Sequence, residues 1–431
     1  MLRVLLEIWK TPDLRRKILF TVSILVISRV LAFIPIPGVD PLALRNLFSG
    51  SQSLDQVLRL LDMFSGGTLL NFSIIALGLN PYINASIIMQ LLGVVIPKLE
   101  ELQKEGEYGR QKITQYTRYL TVPLALVQSY GVLILIRRSA PEFLGSLSPL
   151  ALLTVILTMA AGTILLMWLG ELITEQGIGN GISILIFAGI MARLPVNFGQ
   201  TAQIFNAQNI TNILLLLVLG LVVIVVTIVI NEGQRKILIQ YARRIRGNRL
   251  YGGQSTHLPI RVNQAGVIPI IFAISIILLP GMFGEFFSHA SSRVVADAAV
   301  AVKDFFSNTY YYSSVYFVLV LVFTYFYTSV TFNPTKVADD IKKYGGFVPG
   351  IRPGRATAEY LGYILGRITL VGGIFLGSIA ILPFIMTDIT GISTIALGGT
   401  SLLIVVSVVL ETTKQLESQL IMRSYEGFLY K

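Results

Sequence analysis

The chain has 431 residues, a formal net charge of +11, 54% hydrophobic residues and only 13% charged ones. That balance excludes an ordinary water-soluble domain, in which roughly a quarter of residues are charged. Cysteine is absent, which excludes disulfides, thiolate catalysis and Cys-ligated metal.

Residues 1–17 read as a short amphipathic interfacial helix, with Leu2, Leu5, Leu6 and Trp9 toward lipid and Arg15, Arg16 and Lys17 at the headgroups. Ten apolar stretches follow, over 18–37, 72–96, 119–136, 150–170, 178–195, 211–230, 264–284, 311–332, 366–386 and 393–410. Several hold about twenty apolar or small residues, the number that a 1.5 Å rise needs to cross a hydrocarbon core roughly 30 Å thick. Backbone groups in lipid are satisfied only in helices or closed barrels, and runs this long predict helices. The first run is too long for a cleavable leader and lacks a small-residue cleavage pattern.

Between the first two stretches, Leu54, Val57, Leu58, Leu61 and Phe64 have helical apolar spacing over a segment too short to cross. Ser65, Gly66 and Gly67 then break the helix before a second span expected to begin near Phe72. Two readings fit: an outer interfacial helix, or a hinged half-helix at membrane depth, which is tolerated only where protein or a cavity surrounds it. Arg29 is the one basic residue well inside a stretch, Arg193 and Arg367 standing at the ends of theirs. It is either a functional charge or, being close to Pro35, a side chain that snorkels to the outer headgroups or to a neighbouring carbonyl. The run Gly177–Gly181 has no preceding strand and no following Lys-Ser/Thr, so it predicts a tight connection between two close helices rather than a phosphate loop.

Charge sorts the connections. With residues 1–17 cytoplasmic, 26 of the 34 Lys and Arg lie on the cytoplasmic side. The opposite side holds Arg45, Arg59, Arg137, Arg138, Arg193, Arg293 and Lys303. The positive-inside rule therefore puts both termini in the cytoplasm. Five stretches precede residue 200 and five follow, so the halves 18–195 and 196–410 run in opposite orientation, with a cytoplasmic tail over 411–431. The cytoplasmic connections 231–263 and 333–365 are long and basic, carrying Arg243, Arg244, Arg246 and Arg249 in one and Arg352 and Arg355 in the other. Loops of that size between short-looped helices are usually functional, and their charge suits an RNA-rich or acidic protein partner.

Enzymatic chemistry is poorly supplied. His257 and His289 fall on opposite sides of the membrane, so neither a paired metal site nor a His-dependent triad forms, and no cofactor is expected. An ion-coupled secondary transporter shares the span count and inverted halves, but needs a midplane coupling group. None of the ten stretches contains an Asp or Glu between its first and last apolar turn. A passive scaffold would not need the hinged half-helix.

The chain resembles the SecY family, the SecY/SEC61-alpha central subunits of the Sec protein translocase, from its N-terminus to its last helix. The resemblance rests on Met63 to Gly67 followed by Ala76, Leu77, Gly78 and Pro81-Tyr82, on Lys104 to Glu107, and on Gly177 to Gly181. Tyr251 to Pro259 leading to Ala265 to Pro269, Phe347 to Gly354, and Gly398 to Ile404 complete it. It implies an all-α polytopic membrane protein of ten transmembrane helices in two inverted five-helix halves around an hourglass pore, conducting unfolded polypeptide across, and apolar segments into, the bacterial cytoplasmic membrane.

The residues implied by the resemblance fall into four sets. A pore ring of Leu79, Ile83, Ile186, Ile190, Ile271 and Ile404 closes the constriction by dewetting. A plug over residues 54–65, with Leu54, Leu58, Leu61, Phe64 and Ser65, is hinged at Gly66 and Gly67. A lateral gate between the second and seventh spans includes Asn80, Ser86, Gln90, Ile274 and Ser275. A docking surface holds Arg243, Arg244, Arg246, Arg249, Arg352 and Arg355. Asn80 and Leu31 depart from the usual apolar residue and glycine at those positions. The implied partners are the membrane subunits SecE and SecG, the SecA motor ATPase, the translating ribosome, signal peptides and nascent chains, and membrane lipids.

Overall fold

The computed structural model describes residues 11–37, 65–69, 71–139, 148–203, 210–241, 244–246, 249–251, 255–287, 292–390 and 398–429. They divide into two compact units, one of Met1–Ala207, Glu285–Ala299 and Val408–Lys431, the other of Gln208–Gly284 and Val300–Ser407.

In the first unit, α1 (Pro12–Leu31) opens with Pro12 after Thr11. Arg15, Arg16 and Lys17 are its first turns, so the expected boundary at residue 17 is absent: nothing between Asp13 and Leu31 breaks a helix. The larger correction concerns the second apolar stretch. It is helical only in α2 (Asn80–Val95), whereas residues 71–79 are turns, and a span does not start at Phe72. Phe72 and Gly78 take positive φ (45° and 59°), incompatible with a right-handed helix.

The freed backbone groups find partners elsewhere. Ile36 N donates to Phe72 O (2.9 Å), Ile74 N to Ile34 O (3.0 Å) and Ser73 N to Thr68 O (3.1 Å). Thr68 Oγ1 lies 2.9 Å from both the Ser65 and Ile75 carbonyl oxygens. Non-helical backbone at membrane depth requires such burial in protein, and this segment has it. Leu69, Phe72, Ala76 and Leu77 pack with Val132, Leu133 and Ile136 of α4 (Glu107–Ser139) and Val155 and Met159 of α5 (Pro149–Gln176). Gly162 of α5 makes room: a β-carbon there would meet the Ile74 carbonyl.

Helix α2 bends by 101° into α3 (Pro97–Lys104) and packs on α4. Helix α5 packs on α1, α4 and α6 (Gly181–Gln203), and Arg118 Nε meets Glu171 Oε1 at 2.7 Å between α4 and α5. The expected tight connection is present: Gly181 N donates to Thr174 Oγ1 (2.9 Å), and Ile178 N to Thr21 Oγ1 (3.3 Å). A β-carbon on Gly181 would collide with the Gly170 carbonyl.

In the second unit, α7 (Ile210–Glu232) leads into β1 (Gln234–Tyr241), β2 (Arg244–Arg246), β3 (Arg249–Tyr251) and β4 (Ser255–Arg261). Then come α8 (Ile268–Phe287), α9 (Arg293–Ser307), α10 (Thr309–Thr331), α11 (Pro334–Lys343), β5 (Gly346–Phe347), α12 (Arg355–Thr390) and α13 (Gly398–Leu429), of which residues 285–299 and the part of α13 from Val408 onward belong to the first unit. The first basic loop is thus a folded ribbon, with β1 antiparallel to β4 from Gln234↔Arg261 to Gln240↔Ser255. Strand β5 adds to the same sheet through Gln240↔Phe347, giving the order β4-β1-β5. Ile237 and Ile239 alternate inward from β1 onto Ile260, Ala338, Ile341 and Leu361, so both basic loops share one core with α12.

Among the described residues, Pro149–Gln176, Leu214–Glu232, Thr309–Lys343 and Arg355–Thr387 are long and apolar enough to cross a membrane; α2 with α3 adds a fifth if the bent pair is one span. Gly181–Val196 of α6 and Ile268–Ile277 of α8 are shorter apolar helical stretches.

Candidate functional site

The expected hinge is a pair of left-handed glycines. Gly66 and Gly67 have φ of 70° and 90°, a region open to glycine at little cost. Arg29 Nη1 donates to the Gly66 carbonyl oxygen at 3.3 Å, a neighbouring carbonyl of the kind the sequence offered. Gly66 also lies against Gly189 of α6, and the Arg193 guanidinium packs over Gly67. Leu54, Leu58, Leu61 and Phe64 lie outside the described residues. Ser65 is buried and accepts from Leu69 N at 3.4 Å.

Four predicted ring residues are in this unit, all buried. Leu79 caps α2 and accepts from Ile83 N at 2.9 Å, so the pair stacks on one helix face. Ile186 and Ile190 repeat that spacing on α6. Leu79 and Ile186 line a single cavity of ≈ 30 Å³ with Ser28, Arg29, Ser65 and Gly66, which brings hinge, arginine and two ring positions together. A polar-edged cavity of that size holds one or two waters, and Arg29 Nε is buried without a partner among the described residues.

Of the gate positions, Asn80 opens α2, and Gln90 Nε2 donates to Ser86 Oγ at 3.3 Å, one turn along. In the second unit, Ile271, Ile274 and Ser275 lie on α8, Ile274 buried. The neighbouring Phe272 meets Phe323 of α10 edge to face at 5.8 Å between centroids. Ile404, on α13, is 1% exposed.

Arg243 lies outside the described residues. Arg244 and Arg246 are in β2, with Arg246 paired to Arg249 of β3. Arg352 is exposed on a turn set by Gly350 (φ 82°) and Gly354 (φ 103°), with Thr357 Oγ1 donating to its carbonyl at 2.9 Å. Arg355 meets Glu359 at 3.0 Å in an exposed pair, an interaction of little energetic weight that partly offsets its charge. Lys342 and Lys343 end α11, where cations favour the helix dipole. Among the described residues no three His, Asp or Glu cluster for a metal.

Sequence reading passed over Thr68, Gly162 and Gly189, and also the chain Asn263 Nδ2 to Asn231 Oδ1 (2.8 Å) and Asn231 Nδ2 to Ser407 Oγ (3.0 Å). The available signal was a polar or small residue within or beside an apolar run.

Comparison with known proteins agrees in direction. A family model described as SecY matches residues 73–413. The protein translocase subunit SecY of Mycobacterium bovis is 45% identical, with 100% of both chains covered. That of Streptomyces scabiei is 47% identical over the same full coverage. Among solved structures, one described as a protein conducting channel superposes with a TM-score of 0.60 at 20% identity, covering 94% of this chain and 92% of the other. Sec61 in the canine ribosome-channel complex from the endoplasmic reticulum gives a TM-score of 0.56 at 19% identity with the same coverage.

Proposed function

The chain belongs to the SecY family, and from that premise we propose how its residues serve the family's work. It is a multi-pass membrane protein and the protein-conducting channel subunit of the Sec translocon, moving unfolded polypeptides across the membrane and apolar segments sideways into it. The observation that carries the residue-level reading is the largely buried, non-helical backbone of residues 66–69 and 71–79. It delivers a glycine hinge and the ring position Leu79 to one cavity, which Ile186 also lines.

In this reading ten spans form two inverted halves, and Leu79, Ile83, Ile186, Ile190, Ile271 and Ile404 close the constriction as an apolar gasket. Such a ring excludes ions by dewetting, and its side chains adapt to any passing sequence. Residues 54–65 plug the outer funnel and swing about Gly66 and Gly67. Arg29 holds the resting hinge through the Gly66 carbonyl. The lateral gate takes Asn80, Ser86 and Gln90 from α2 and Ile274 and Ser275 from α8.

The sheet β4-β1-β5 and the Arg352 turn form the docking platform. Their basic residues suit an acidic motor surface or ribosomal RNA, so the partners are a SecA-type ATPase and the translating ribosome, with SecE- and SecG-type subunits in the membrane. Both termini face the cytoplasm, and the membrane is the bacterial cytoplasmic one. The channel catalyses no bond change; its partners supply the energy.

The test is reconstitution. Vesicles containing the chain with its two small membrane partners receive the motor, ATP and a signal-bearing polypeptide, and the polypeptide is expected to become protected from added protease. Protection no greater than in vesicles lacking the chain overturns the reading.

A further inference from the structure

The base of the basic ribbon is tied to a helix far away in sequence. Asn231 is the penultimate residue of α7, just before β1, and Asn263 follows β4. Val262 N donates to Gly233 O at 2.9 Å, continuing the ribbon, and Asn263 Nδ2 donates to Asn231 Oδ1 at 2.8 Å beneath it. The same Nδ2 lies 3.2 Å from the Gly266 carbonyl, in the turn that enters α8. Asn231 then passes the contact on, its Nδ2 donating to Ser407 Oγ of α13 at 3.0 Å. Ser407 is three residues after Ile404, on the same helix face.

Two features separate this chain of amides from simple packing. Asn263 is 7% exposed, yet its Oδ1 has no donor among the described residues. Thr227, one turn before Asn231 on α7, is fully buried, and its hydroxyl also has no partner among the described residues. A buried polar atom without a partner costs stability that a rearrangement can recover. Two buried polar atoms beside the chain of amides thus have no partner among the described residues.

We propose that Asn231, Asn263 and Ser407 form a joint that carries displacement of the cytoplasmic sheet to α13 and so positions Ile404. This rests on the reading of the sheet as a docking platform and of Ile404 as part of the constriction. The side chains act through α13 and touch no substrate; they are positioning residues. A partner pressing on the β1–β4 ribbon moves Asn263 with it, Asn231 follows, and the pull reaches α13 one turn from Ile404.

The decisive variant is Ser407→Ala, which removes the last link and leaves the ribbon and the Asn263–Asn231 bond in place; Ser407→Thr keeps the hydroxyl. In the complete reconstituted translocase, Ser407→Ala is expected to bind the motor and stimulate its ATPase as the parent does. Polypeptide moved per ATP hydrolysed should fall about fivefold, the factor corresponding to one net hydrogen bond of ~1 kcal/mol. Ser407→Thr should restore the ratio, which a merely structural role would not single out. An unchanged ratio in Ser407→Ala overturns the joint. Ile404→Asn is measured alongside for ion leak: altered leak there with an unchanged Ser407→Ala ratio removes the joint alone, and no change in either removes the ring reading as well.

Discussion

Gly66 and Gly189 meet backbone to backbone: a β-carbon built on Gly66 falls 2.7 Å from the Gly189 Cα, and one built on Gly189 falls 3.0 Å from the Gly66 Cα. The contact joins the hinge to α6 between Ile186 and Ile190, two predicted ring positions.

A side chain at Gly189 therefore pushes the hinge away. Gly189→Val is expected to raise the resting ion leak of the reconstituted channel, because overpacking costs ~1–3 kcal/mol and ~1.4 kcal/mol shifts a two-state population about tenfold. Single-channel recording in planar bilayers reads this directly. Leak equal to the parent, at normal expression, would detach the hinge from the seal.

Thr68→Val should destabilise the first unit by about 1–3 kcal/mol. Its hydroxyl is the donor shared by the Ser65 and Ile75 carbonyls in a segment held by isolated turn bonds rather than a helical ladder. Thermal unfolding in detergent is the measurement, and an unshifted transition would mean that another donor serves these carbonyls.

Arg352 is exposed, its turn braced by Thr357 and two positive-φ glycines. Arg352→Glu should abolish motor-driven translocation and leave the amount of membrane-inserted protein unchanged, since nothing is buried or unpaired by the change. Bidentate guanidinium contacts with carboxylate or phosphate are what the reversal removes. Parental ATPase stimulation and export would take this residue off the docking surface.

Ile404 is 1% exposed, and full burial of such a side chain stabilises by ~1.5–3 kcal/mol. Ile404→Asn introduces an amide with no partner there and favours a hydrated, open constriction. Higher ion leak and acceptance of polypeptides with weakened signals are expected. If conductance and signal stringency both stay at parental values, the ring must be redrawn without it.

What the sequence determined by itself is local. Run length pointed to membrane-crossing helices, because a hydrocarbon core demands a minimum number of apolar residues. Adjacent glycines marked the left-handed turn at Gly66 and Gly67 and the close turn at Gly177–Gly181, because positive φ and near backbone contact both exclude a β-carbon. What only the tertiary structure decided is where hydrogen-bond partners come from. Residues 72–79 are as apolar as a span, yet they leave the helix because Ile34, Ile36 and Thr68 satisfy their backbone from outside the segment. The basic loops looked like separate charged connections, but β5 reaches β1 from the far loop and closes a shared core. The contact from Asn231 to Ser407 spans 176 residues of chain. A composition window reads the free energy of leaving water, whereas pairing a buried polar group depends on which distant atom the fold sets beside it.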